Sequence, residues 1–139
     1  MSDMNDFNRQ IVNEFRANAG QVGGPFRGSS VLLLHSTGAR SGQERVHPLV
    51  YQPVDGGAMA IFGSKGGAPT NPAWYHNLMA HPDAVVEVGT GTVPVRAREA
   101  GPDERERIWT RQKEVAPAFA GYESKTSRVI PVVILEPRS

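Results

Sequence analysis

Two short stretches hold the residue types that can do chemistry. The first, Arg40-Ser41-Gly42-Gln43-Glu44-Arg45, sets two guanidinium groups on a glycine-containing turn. Arginine suits bidentate recognition of phosphate or carboxylate, and lysine acts as a mobile point charge. The second, Ser64 to Leu78, joins a glycine-flanked lysine (Lys65-Gly66-Gly67), an Asn71-Pro72 pair and the adjacent aromatics Trp74 and Tyr75. Paired glycines let backbone amides approach a ligand closely, and a helix opening behind an Asn cap leaves N–H groups free to hold an anion. No Asp or Glu lies between Gly56 and Pro82. Each cation alone is an ordinary solvated surface charge; three of them beside two Ser/Gly turns and an acid-free helix start point to an anion site.

Other chemistries lack their residues. His35, His47, His76 and His81 form no zinc pair, since His76 and His81 are five apart without a carboxylate motif, so no metal is expected. His47 shares a strand face with Arg45 and can reach a ligand, although a structural role is as compatible with its position. Ser41 and Ser64 lie in turns without Gly-x-Ser-x-Gly, and neither a Rossmann nor a Walker fingerprint occurs. The chain has no cysteine, which removes disulfides and thiolate chemistry. Lys+Arg 15 against Asp+Glu 14 gives a net charge of +1, so a nucleic-acid partner is not expected. The N-terminus Met1-Ser2-Asp3-Met4-Asn5-Asp6 is not a secretory signal and no apolar run reaches the ~20 residues of a membrane span, so a cytoplasmic protein is expected. An anion cradle and aromatic surfaces without nucleophile, metal or acid pair suit a cofactor that brings its own reactivity.

The elements that position these residues fit one domain over the 139 residues. Apolar residues at Phe7, Ile11, Val12 and Phe15 predict a helix over about 6–18 that packs on the body of the domain, with peripheral membrane contact as the alternative. Gly23-Gly24-Pro25 reads as a loop, and Val31 to Ser36 as a buried strand. Arg45 to Gln52 forms the next strand, with Arg45, His47, Leu49 and Tyr51 on one face, and Pro48 belongs at an edge or bulge. Asp55-Gly56-Gly57 turns the chain into Ala58 to Gly63. A short helix from Ala73 ends near His81-Pro82; strands follow at Ala84–Val88 and Val93–Arg98, then a helix from Pro102 to Ala116, helical turns over 119–125, and a last strand from Val129 to Leu135. Hairpin-joined strands with short helices between them predict an α+β domain on a small, partly closed barrel.

Phe15-Arg16-Ala17-Asn18, Thr37-Gly38, Arg40-Ser41-Gly42, Arg45, Pro48-Leu49, Ser64-Lys65-Gly66-Gly67, Asn71-Pro72-x-Trp74-Tyr75-x-Asn77-Leu78, Tyr122, Arg128 and Ile130-Pro131-Val132-Val133 together resemble the deazaflavin (coenzyme F420)-dependent nitroreductase family, from about Phe7 to Pro137. The resemblance implies a split β-barrel with short peripheral helices and reduced coenzyme F420 as hydride donor to a small electron-deficient acceptor, such as a quinone, an enone or a nitro compound. It also implies that Arg40, Ser41 and Arg45, with Pro48, grip the coenzyme's phosphate and oligoglutamate tail. Lys65, Gly66, Gly67 and Ala68 match a second anion-binding loop, and Pro72, Trp74, Tyr75, Asn77 and Leu78 a helix start beside the coenzyme. Tyr122 and Ser64 are the catalytic candidates, Tyr122 as an aromatic facing the substrate. Phe119, Lys125 and Val50 depart from the pattern of nitro-prodrug-activating members. A protein that sequesters F420 without catalysis, and a flavin mononucleotide enzyme of the same fold, are the alternatives.

Overall fold

The computed structural model describes residues 6–22 and 30–138. The expected Gly23-Gly24-Pro25 loop and the first five residues lie outside the described residues. The chain opens with helix α1 (Asp6–Ala17), whose Ile11, Val12 and Phe15 are buried. Val12 and Phe15 pack on Val31 and Leu33, with Val46 and Val50 around them. The apolar face therefore packs on the body of the domain as expected, and the alternative of membrane contact through this helix has no support. Among the described residues no helix is long and apolar enough to cross a membrane.

Six antiparallel strands close a barrel: β1 (Val31–Thr37), β2 (Glu44–Pro53), β3 (Met59–Phe62), β4 (Asp83–Val88), β5 (Gly91–Glu99) and β6 (Val132–Pro137), in the spatial order β1-β2-β3-β6-β5-β4. Closure removes the free edges that a flat sheet of this size would expose. The split is visible in β2. Its residues 44–50 pair with β1, whereas pairing with β3 begins only at Tyr51. Pro48, which has no N–H to offer a ladder, falls in this one-sided stretch, where an edge was expected. The Asp55-Gly56-Gly57 turn adopts the positive φ foreseen for it, 75° at Gly56 and 77° at Gly57.

The barrel interior is filled by Leu32, Leu34, Ile61, Val86, Val95 and Leu135, plugged by Trp74 and Leu78 of helix α2 (Ala73–Ala80). Helices α3 (Pro102–Val115) and α4 (Ala118–Ser124) cover the outer face of β3 and β6 through Ile108, Trp109 and Phe119. β6 starts at Val132 rather than at the expected Val129. Pro131 cannot donate, and the carbonyls of Ile130 and Pro131 are taken by the Arg105 guanidinium (2.9 and 3.0 Å) and the Gly63 amide (2.9 Å), so the ladder begins after them.

Candidate functional site

The turn between β1 and β2 is built by its own polar groups. Gly38 donates to the Gln43 carbonyl (2.8 Å), and Gly42 to the Gly38 carbonyl (3.0 Å). The Ser41 hydroxyl accepts from the Gln43 amide and from Arg45 Nη2, both at 3.2 Å, while Arg45 Nη1 donates to Gln43 Oε1 at 3.2 Å. Arg45 is thus aimed by the turn that carries it. A Cβ on Gly38 would stand 2.6 Å from Ser41 Oγ, so a larger residue there would push that hydroxyl off its partners.

Asn77 of α2 ties this turn to the barrel. Its Oδ1 accepts from the Ala39 amide at 3.0 Å, and its Nδ2 donates to Ser36 Oγ at 3.4 Å. Between turn and helix lies an open cavity of about 660 Å³. Arg40, Ser41, Arg45 and His47 line it from one side, and Ala73 and His76 from the other. No carboxylate among the described residues lines it. His47 Nδ1 is buried without a hydrogen-bond partner among the described residues. Burial, reinforced by the neighbouring Arg45 charge, lowers the pKa of this imidazole below the ordinary histidine value.

The second loop differs from its expected form. Residues Lys65–Gly67 make a 3-10 turn with positive φ at Lys65 (47°) and Gly67 (86°). The amides of Gly67 and Ala68 donate to the carbonyls of Ser64 (2.9 Å) and Lys65 (3.1 Å), so these two are spent inside the loop rather than offered to an anion. Asn71 does not cap α2. Pro72 is the cap residue, with no side-chain bond, and Asn71 Oδ1 instead accepts from Arg128 Nη1 at 2.6 Å. The same guanidinium donates to the carbonyls of Ala68 and Ser64, each at 3.0 Å. Arg128 is the clamp of this loop. On its other side the loop presses on α4: a Cβ on Gly67 would sit 2.9 Å from the Tyr122 carbonyl and 2.8 Å from Lys125 Cβ.

Arg40, Ser41, Arg45 and Asn77 therefore come together, while Lys65 stands apart from their cavity, its Nζ donating to Thr70 Oγ1 at 3.4 Å. Trp74 is 4% exposed and Leu78 fully buried, so both serve the barrel core and neither forms an open wall for a ligand. Tyr75 donates its hydroxyl to Glu99 Oε1 at 2.6 Å; this bond, with burial and the carboxylate's charge, pushes its pKa up to about 12. Glu99 lies far along the chain from the acid-free stretch, and only folding brings a carboxylate to it. Ser64 is buried and holds its loop through its carbonyl. Pro48 and Pro72 are buried, and Gly66 and Ala68 lie in the clamped loop.

Tyr122 meets Phe119 edge-on with ring centroids 5.2 Å apart, and Phe119 meets Phe62 at 5.6 Å and Trp109 at 6.1 Å. This aromatic shelf adjoins the Lys65 loop. The site residues that sequence reasoning missed are Ala73 and His76, which line the cavity, and Arg128, which clamps the loop. His76 carried a signal as a polar residue one turn from Pro72. Arg128 stood in the resemblance without a role, because its partners, two backbone carbonyls and the Asn71 side chain, lie more than fifty residues away in sequence.

An anionic, cofactor-sized group fits this lining: two guanidinium groups, a hydroxyl and an imidazole, with no opposing carboxylate among the described residues. Residues 7–137 match the family described as F420H(2)-dependent quinone reductase. An F420H(2)-dependent quinone reductase of Mycobacterium tuberculosis (strain ATCC 25618 / H37Rv) is 41% identical over 128 residues, 89% of this chain and 85% of that protein. A solved structure described as an F420-H2 dependent reductase (FDR-A) is similar at a TM-score of 0.69 and 41% identity, covering 77% of this chain and 94% of that one. A second, described as a domain-swapped dimer, has a TM-score of 0.71 and 36% identity over 94% of this chain and 98% of that one.

Proposed function

The chain belongs to the F420H2-dependent quinone reductase family and is an F420-dependent oxidoreductase, and on that premise we propose that its acceptor is a quinone, with enones and nitro compounds as weaker substrates. The observation that carries this reading is the cavity at Arg40, Ser41 and Arg45, cationic and free of carboxylates among the described residues. Bound reduced coenzyme F420 supplies the hydride. Every other part of the reaction falls to the protein.

Arg40 and Arg45 neutralise the coenzyme's anionic tail, and Ser41 fixes its register by holding Arg45. Asn77 is a positioning residue, acting through the Ala39 amide. The loop Lys65–Ala68, held by Arg128, gives the coenzyme a rigid neighbour, with Lys65 Nζ as a third cation. Hydride transfer needs donor and acceptor carbons held about 3–3.5 Å apart with water excluded. Tyr122 and Phe119 offer a planar acceptor the edge and face contacts that aromatic rings prefer. The hydride carries two electrons and one proton, so a quinone needs a second proton; the Tyr122 hydroxyl is the group we assign to give it. The whole chain 1–139 serves as the single domain of this site.

Anaerobic mixing of the purified protein with reduced F420 and a soluble naphthoquinone tests the proposal by following deazaflavin reoxidation. Turnover faster with the quinone than with a nitroaromatic of similar size is expected. Coenzyme binding without reoxidation by any acceptor class would instead mark a protein that sequesters F420. No binding at micromolar coenzyme refutes the proposal outright.

A further inference from the structure

The cavity holds a histidine to which the proposed chemistry gives no task. His47 stands two residues beyond Arg45 on β2, so both side chains leave the same face of the strand. Its Nδ1 is withdrawn from solvent and lacks a partner among the described residues, while the ring lines the cavity beside Arg40, Ser41 and Arg45. A ligand in the open cavity meets the ring's accessible edge rather than the enclosed Nδ1, so the coupling between them is the charge of an imidazole set beside two guanidinium groups. We propose that His47 is a proton-linked anion contact, neutral in the free protein and protonated as the coenzyme's anionic tail is seated. The inference rests on the coenzyme site proposed above.

The charges around the ring favour this sense. Facing His47 are the cations Arg40 and Arg45 on its own side of the cavity and the imidazole of His76, with the amide of Asn77, from α2. The nearby acids stand elsewhere: Glu44 and Glu87 both bond to His35, which pairs with Val46 and so shares the opposite face of β1 and β2. Without an anion, burial and Arg45 both disfavour the imidazolium. An anion held between Arg40 and Arg45 cancels their repulsion and provides an acceptor, which raises the affinity of His47 for a proton. Linkage then works in both directions. Binding takes up a proton, and affinity declines as pH rises through the pKa that His47 has in the complex.

Calorimetric titration of the full chain with coenzyme F420, in two buffers of different ionisation enthalpy near neutral pH, counts the protons exchanged. The comparison is with His47→Asn, so that protons released or bound by the coenzyme itself cancel in the difference. We expect the wild type to take up about half to one proton more than the variant, and its Kd to rise by up to about tenfold per pH unit relative to the variant's. Equal proton counts with binding intact in both proteins overturn the assignment. Should His47→Asn fail to fold, the imidazole resonances of the wild type decide: the midpoint of His47 must move upward on coenzyme addition, and an unchanged or lower midpoint refutes the inference. A wild type that binds no coenzyme fails at the earlier step, refutes the function itself and removes the basis of this inference.

Discussion

Arg128→Met removes a clamp while keeping side-chain bulk. Arg128 makes three hydrogen bonds across more than fifty residues of sequence, to the Ala68 carbonyl (3.0 Å), Asn71 Oδ1 (2.6 Å) and the Ser64 carbonyl (3.0 Å). A bond to a charged donor contributes roughly 1.5–3 kcal/mol when protected from water. Here Lys65, Pro69 and Thr70 are exposed, so water can replace part of what is lost. Ser64 O also keeps its bond from the Gly67 amide. About 1 kcal/mol per bond is the appropriate discount, and the total is about 3 kcal/mol. For a chain of this length, each kcal/mol moves Tm by about 3–4 °C, so Arg128→Met should melt about 10 °C lower. Arg128→Lys keeps the charge but loses the fork, and should recover less than half of the difference. Thermal unfolding followed by circular dichroism supplies the stability, and fluorescence titration with F420 supplies the affinity. A loosened loop predicts weaker coenzyme binding even at temperatures where the variant is fully folded. A variant that melts within about 2 °C of the wild type refutes the clamp, because the three bonds would then contribute nothing net.

Trp74→Ala should cost roughly 3–5 kcal/mol in denaturant unfolding, as for a large core side chain, yet leave F420 affinity of the folded protein within about threefold; a selective loss of affinity would return Trp74 to the coenzyme wall. Glu87 is held below the usual carboxylate range first by the hydrogen bonds from Arg16 (2.7 and 3.2 Å), against opposing burial, with His35 adding to the effect. Its folded pKa is depressed, so its stabilisation is present above the unfolded value and is lost as pH falls through the folded one; Glu87→Gln should therefore be less stable than wild type at neutral pH and equal to it in acid, in paired denaturant titrations. Tyr75, with its pKa pushed up to about 12, contributes stability below the ordinary tyrosine range that fades as pH rises through that value. Phenolate absorbance should show a late-titrating component that Tyr75→Phe removes, and its survival unchanged in the variant would contradict the Glu99 bond.

Much of the architecture follows from local pattern alone. Period-2 and period-3.6 spacing of apolar residues gives the order of strands and helices, and the Asp55-Gly56-Gly57 and Thr37–Gly42 turns carry their own glycine and serine signals. The guanidinium turn is legible for the same reason, since Ser41, Gln43 and Arg45 bond to one another within a few residues. The guanidinium groups of Arg40 and Arg45 are thus placed by a contiguous stretch.

What only the tertiary structure decided is which of two faces each residue of Ser64 to Leu78 presents, and to whom. Helical spacing marks Trp74 and Leu78 as apolar, but barrel closure turns them inward as a plug. Asn71 looks like a cap until Arg128, distant in sequence, claims its oxygen. Glu99 reaches Tyr75 and Asn77 reaches Ala39 only because the strands curl into one closed wall. Short-range sequence encodes which groups are available, because turns and helices are built from near neighbours. The partner each group takes depends on long-range packing, since a single backbone carbonyl or carboxylate brought close in the fold outcompetes the partner that local sequence would suggest.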